Sequence, residues 1–262
     1  MPPRRARLDA RDLAALVALV AALVLASATG SASDGARAQP TPTAFRELQL
    51  GYLAIEAGDP EAAMDHYAAA LERARGDEQR FNALLGLGSA ALELGRLDEA
   101  RAALEEAHRL KPGEAGATFT LGVTCRRQGD LEKAVTYLAE AAARAPEMPE
   151  ALVELGIAYA AMGRHRDAAQ ACREALEIDP DHVEARLGLA VALYHLDDNE
   201  AAVAEFRRVL EQEPEHLRAR YGLGLALLYA GDRKGAIEQV VFLNQRAPDL
   251  AADLHRWVFP DD

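Results

Sequence analysis

From Gly88 onward a skeleton of glycine, alanine and proline returns every 34 residues, and this period limits the folds open to the chain more than any other feature. The glycine column runs Gly88, Gly122, Gly156, Ala190 and Gly224. An alanine column follows at Ala100, Ala134, Ala168, Ala202 and Ala236, and a proline column at Pro112, Pro146, Pro180, Pro214 and Pro248. Three columns in step over five copies mark an internal repeat. Such a unit cannot bury its apolar face alone, and stacking the next copy completes the core.

Within each period the apolar spacing predicts a helical hairpin. Leu84, Leu87, Gly88 and Ala91 follow the i, i+3, i+4, i+7 pattern of one helical face. Gly95 supplies a left-handed residue that ends this helix. Leu97, Ala100, Leu104 and Ala107 form the answering stripe of a second helix, and Pro112 forbids its continuation. A glycine inside a helix costs about 1 kcal/mol relative to alanine. Its recurrence therefore predicts close contact between helices.

An earlier copy begins near Ala44 and carries Leu50-Gly51, Gly58-Asp59, Ala63, Tyr67 and Ala70, with Asp59-Pro60 as a helix start. Gly51 and Gly88 are 37 residues apart, so the extra residues are assigned to a longer loop at Gly76-Asp77-Glu78-Gln79-Arg80. In the fifth copy Asp197-Asp198-Asn199-Glu200 replaces the glycine turn. It is read as a turn with a helix cap rather than a calcium loop, whose spacing it lacks. The last stretch places Leu250, Leu254, Trp257 and Val258 on one helical face, as a cap over the final apolar surface.

On these columns the chain resembles the tetratricopeptide repeat family from about Ala44 onward. The resemblance implies an all-α, tetratricopeptide-type α-solenoid of about six helix-turn-helix repeats plus a short C-terminal capping helix. The repeats are placed at 44–80, 81–114, 115–148, 149–182, 183–216 and 217–250, with the cap at 251–262. Residues 39–43, Gln-Pro-Thr-Pro-Thr, read as a stiff linker.

Residues 1–38 differ from the rest. Arg4, Arg5, Arg7 and Arg11 precede the apolar run Leu13 to Ala26, followed by small residues with cleavage options after Ala28 and Ala38. This is the layout of a secretory signal peptide and places the mature protein outside the cytoplasm, in the periplasm or secreted. The alternative is a retained membrane anchor, for which the run is short.

The formal charge is -13. Removal of the leader takes away five Arg and three Asp, leaving 24 basic and 39 acidic residues, a charge of -15. A nucleic-acid binder needs a basic stripe, so neither DNA nor RNA is expected as partner. Cys125 and Cys172 are too few for a disulfide framework and read as buried apolar fillers. Gly86-Leu87-Gly88-Ser89-Ala90-Ala91 superficially matches a dinucleotide-binding glycine pattern, but it lies within a helix and not after a strand. His182 and His216 are 34 apart after Pro-acid turns and belong to the repeat. No nucleophile motif or metal-ligand spacing is present. The chain is thus expected to be non-catalytic, with no cofactor and no metal.

In the resembling family the first helices of successive repeats line a concave groove that binds peptides or proteins. Carried onto this chain, one lining column runs Leu48, Leu85, Phe119, Val153, Leu187 and Tyr221. A second runs Tyr52, Ser89, Val123, Ile157, Val191 and Leu225, and a third Ile55, Leu92, Arg126, Ala160, Tyr194 and Leu228. Arg127, His195 and Tyr229 follow in the next positions. The groove is then mainly apolar, with a basic spot at Arg126 and Arg127. Family members that hold the acidic tails of heat-shock chaperones use Lys, Arg and Asn in these columns. This chain lacks that set, which argues against a carboxylate clamp. An apolar groove suits a protein or peptide partner with an apolar or amphipathic segment. The chain is therefore expected to be a protein- or peptide-binding scaffold acting outside the cytoplasm, with a carrier of a lipid or other apolar small molecule as the alternative and self-association through the same surface as a further use.

Overall fold

The structure is a computed structural model and describes residues 43–260. The expected signal peptide and most of the linker lie outside these residues. The described chain is built of α-helices joined by short turns: α1 (Ala44–Glu56), α2 (Pro60–Arg73), α3 (Asp77–Glu93), α4 (Leu97–Leu110), α5 (Ala115–Gln128), α6 (Leu131–Arg144), α7 (Pro149–Ala161), α8 (His165–Ile178), α9 (Val183–His195), α10 (Asn199–Gln212), α11 (Leu217–Tyr229), α12 (Arg233–Asn244) and α13 (Pro248–Val258). By its contacts the described chain divides into two compact units, unit 1 ending at Gln128 and unit 2 beginning at Gly129.

In unit 1, α1 to α5 pack in order, each against the next, and α1, α3 and α5 also touch one another in sequence. Unit 2 repeats the arrangement from α6 to α13, with α7, α9, α11 and α13 in contact along one side. No comparable contacts join the second helices among the described residues. Within each unit the first helices therefore form the inner layer.

Close packing explains the glycines. A methyl group built on Gly88 would lie 2.5 Å from Leu104 Cγ, and one on Gly156 would lie 2.9 Å from Cys172 Sγ and 3.3 Å from the Ala168 carbonyl. A second glycine position, two residues earlier, meets the helix that precedes it. Gly86 would clash with the Tyr67 ring at 2.5 Å, and Gly222 with the Phe206 ring at 2.4 Å. Gly86 and Gly88 are thus helical packing residues within α3. Burial keeps the Tyr67 phenol well above its ordinary range and pushes the Cys172 thiol up to about 12. Cys125 is also buried.

The turns follow the sequence in most repeats. Gly58, Gly95, Gly129, Gly163 and Gly231 all have positive φ, between 71° and 86°. At the matching fifth-repeat position Asp197 takes φ 61°. Asp198 then caps α10 by accepting from the Ala201 amide at 3.4 Å, and the Asn199 side chain donates to the Asp197 carbonyl. This is a turn with a cap. Because L-residues pay for the left-handed region, Asp197→Gly is expected to stabilise the protein by about 0.5–1 kcal/mol, seen as a higher urea midpoint at an unchanged slope. A lower midpoint would mean that the aspartate makes a contact worth more than this strain.

His182 and His216 are N-caps, their Nδ1 atoms accepting from the amides of Ala185 at 3.3 Å and Ala219 at 3.1 Å. A second pair, Arg186 and Arg220, keeps the same 34-residue spacing. Arg186 donates to the Pro180 carbonyl and to Glu205 at 3.0 Å, while Arg220 donates to the Pro214 carbonyl at 2.9 Å and to Gln239 at 3.2 Å. Each arginine ties the loop before its helix to the second helix of its own repeat.

Two expectations are corrected. The stretch from Gly76 to Arg80 is not a long loop: α3 starts at Asp77 and runs 17 residues, so the additional residues extend the helix. Asp77 and Glu78 suit its first turn electrostatically. Glu78 pairs with Lys111 and Arg80 with Glu106 at 2.8 Å, holding that turn against the end of α4, the second helix of the same hairpin. Pro248 does not mark the stop of its second helix. Helix α12 ends at Asn244 and Pro248 opens α13, where its missing amide costs nothing.

Candidate functional site

The inner layer of each unit carries the columns that the sequence assigns to a groove. In unit 1, Leu48, Leu92 and Val123 are buried, and Tyr52, Leu85 and Phe119 are half-buried. Tyr52 donates to Glu56 at 2.6 Å, a bond that raises its phenol pKa. Arg126 is half-buried, and the exposed Arg127 donates to the Leu92 carbonyl at 3.3 Å.

In unit 2, Val153 and Leu187 are buried, Leu187 at only 2% exposure. Val153 packs with Ala175 and Ala185. Leu48, Leu92, Val123, Val153 and Leu187 therefore serve the core and offer the inner face little surface. The surface comes from their neighbours. Ile157 is 37% exposed and Tyr229 53%, while Val191, Tyr194, Leu225 and Leu228 are half-buried and His195 is exposed.

An aromatic chain links successive repeats along this face. His165 stacks on His195 with centroids 4.5 Å apart, Tyr194 meets His195 edge-on at 5.2 Å, and Tyr194 meets Tyr229 edge-on at 5.8 Å. Edge-to-face contacts of this kind suit the ring quadrupoles. Partial desolvation and the neighbouring His165 lower the His195 pKa, which favours its neutral form.

Trp257 belongs to this face, which the sequence reading missed. The stripe of α13 that is buried is Ala251, Leu254 and Val258, while Trp257 is 54% exposed and Leu250 half-buried. Tyr221 of α11 donates to Asp253 of α13. Burial first, then this bond, pushes the Tyr221 phenol up to about 12, and the bond from Tyr221 together with Arg256 lowers the Asp253 pKa. Asp253 and Trp257 are one turn apart on α13, as Tyr221 and Leu225 are on α11, so Trp257 follows the column of Ile157, Val191 and Leu225. The early start of α13 hides this register from a strict 34-residue count. The sign in the sequence was Pro248, better suited to open a helix than to end one.

Away from this face, a cavity of about 390 Å³ lies among α10, α11 and α12. Arg207, Glu211, Arg220, Asp232 and Glu238 give it a charged lining around Leu210, Leu223 and Leu227. Among the described residues no group of three or more His, Cys, Asp or Glu could hold a metal ion, and no helix is long and apolar enough to cross a membrane.

Stacked antiparallel hairpins with an inner layer of first helices define a helical-repeat protein of the α-solenoid class. The tetratricopeptide repeat profile matches residues 48–115, 119–183, 153–212 and 187–248, and the chain belongs to the tetratricopeptide repeat family. Among solved structures it is similar to a tetratricopeptide repeat protein from Parabacteroides merdae, at 19% identity and TM-score 0.70, over 83% of this chain and 86% of that one. It is also similar to MamA from Desulfovibrio magneticus RS-1, at 22% identity and TM-score 0.60, over 66% of this chain and 96% of that one. A third similar structure is YrrB, described as a TPR protein with an unusual peptide-binding site, at 21% identity and TM-score 0.59, over 71% of this chain and 96% of that one. No curated protein matches the chain in sequence.

Proposed function

We propose that the protein is a non-catalytic scaffold acting outside the cytoplasm, which holds protein or peptide partners on the inner faces of its first helices. The observation that carries this reading is the run of apolar and aromatic side chains left uncovered on the inner face of unit 2: Ile157, Leu225, Leu228, Tyr229 and Trp257. Large apolar residues gathered on one surface mark an interaction site, and stacked helices present them at fixed spacing to an amphipathic helix or extended segment. The peptide-binding site named for YrrB is in keeping with this use of the fold. Export rests on the basic, apolar and small-residue order of residues 1–38.

The test is site-specific photocrosslinking in cells. A crosslinker at Ile157 is expected to capture a discrete protein, and Leu225→Arg is expected to abolish that adduct by placing a charge on the face. A crosslinker at Val241, 58% exposed on the second helix α12, is the control and should not capture it. Equal capture from both positions, or capture from Val241 alone, would overturn the reading. A lipid adduct at Ile157 would replace the scaffold by a carrier.

A further inference from the structure

The chain covers several rings of unit 2 with its own cations. Arg164 lies over Tyr159 at 4.3 Å, Arg220 and Arg246 flank Phe242 at 4.0 and 4.1 Å, and Arg233 lies 5.2 Å from Phe259. The attraction is between a cation and the negative face of the ring quadrupole. Tyr229 and Trp257 are the most exposed Phe, Tyr and Trp side chains of the unit, and among the described residues no cation lies over either. Unit 2 as a whole is negative: residues 129–260 hold 23 Asp and Glu against 14 Lys and Arg. Such an excess draws in and orients a basic partner and repels an acidic one.

We propose that Tyr229 and Trp257 receive Lys or Arg side chains from a basic, amphipathic segment of a protein partner, whose apolar residues rest on Leu225 and Leu228. This builds on the scaffold reading and adds the chemistry of the partner. The hydrogen bond between Tyr221 and Asp253 keeps α11 and α13 in register, so both rings stand on one fixed surface. Asp253 lies one turn before Trp257, where it accepts from both Tyr221 and Arg256.

Trp257 is the only tryptophan of the chain, so its emission reports occupancy directly. The probes are a 14-residue peptide of Leu and Lys at helical spacing, its Glu-for-Lys counterpart and its Gln-for-Lys counterpart, each titrated into the full chain. The Lys peptide is expected to change the Trp257 emission saturably, and the Glu and Gln peptides to bind at least about tenfold more weakly. Affinity of a labelled Lys peptide, read by anisotropy, should fall about 3- to 30-fold in Tyr229→Leu and in Trp257→Leu, which keep apolar bulk and net charge but lose the ring. Both side chains are exposed, so thermal melts should confirm folding of each variant. Undiminished Lys-peptide binding in the double variant would overturn the inference, because general acidity would then suffice. Equal binding of the Gln peptide would also overturn it while leaving the inner-face reading intact. Loss of the Ile157 crosslink in cells, by contrast, would remove the inner-face reading itself.

Discussion

Phe206→Ala is expected to destabilise the protein by about 3–5 kcal/mol, the range for removing a fully buried aromatic side chain. Phe206 is 1% exposed and lies in the core cluster that runs from Ala168 to Val258. Its ring fills the space left by Gly222 on the following helix. Truncation would open a cavity between α10 and α11 that neither backbone can close, since each is held by its own hairpin. Urea denaturation followed by helical circular dichroism provides the measurement. Because a repeat contacts only its neighbours, the loss should appear as early unfolding of the repeats around α10 and α11. A cost under about 1 kcal/mol would show that the ring is not the wedge between these helices.

Gly222→Leu approaches the same contact from the other side. The first carbon of its side chain would already stand 2.4 Å from Phe206 Cζ, and a leucine has three more to place. Overpacking of this kind costs about 1–3 kcal/mol or more. The two substitutions should not add. Leucine at 222 can enter the space that alanine at 206 vacates, so the double variant is expected to be more stable than the sum of the single losses predicts. Additive losses would mean that the glycine is required for some reason other than this ring.

The hairpins, their order and the identity of the first helices were all legible in the periodic columns, because a helical stripe and a turn glycine are local signals. Burial along the proposed face was not. Leu187 and Leu225 look alike as apolar positions in their columns, yet the first is sealed by neighbouring helices and the second is half-exposed. The helical spacing puts Trp257 on the apolar stripe of the cap, but the sealed stripe of α13 is Ala251, Leu254 and Val258. The difference arises from a start three residues earlier than the repeat would give, and a helix turned by that amount presents another side to its neighbours.

The 34-residue columns and the caps are short-range properties: they specify where helices begin, where they turn and which stripe is apolar. Which members of a stripe are covered depends on how neighbouring helices meet, down to a single glycine against a ring. The contacts of His165 with His195 and of Tyr194 with Tyr229, and the bonds of Arg186 to Glu205 and of Arg220 to Gln239, each join side chains on different helices. Such contacts exist only after the helices have stacked, because no local pattern records the distance between two packed surfaces.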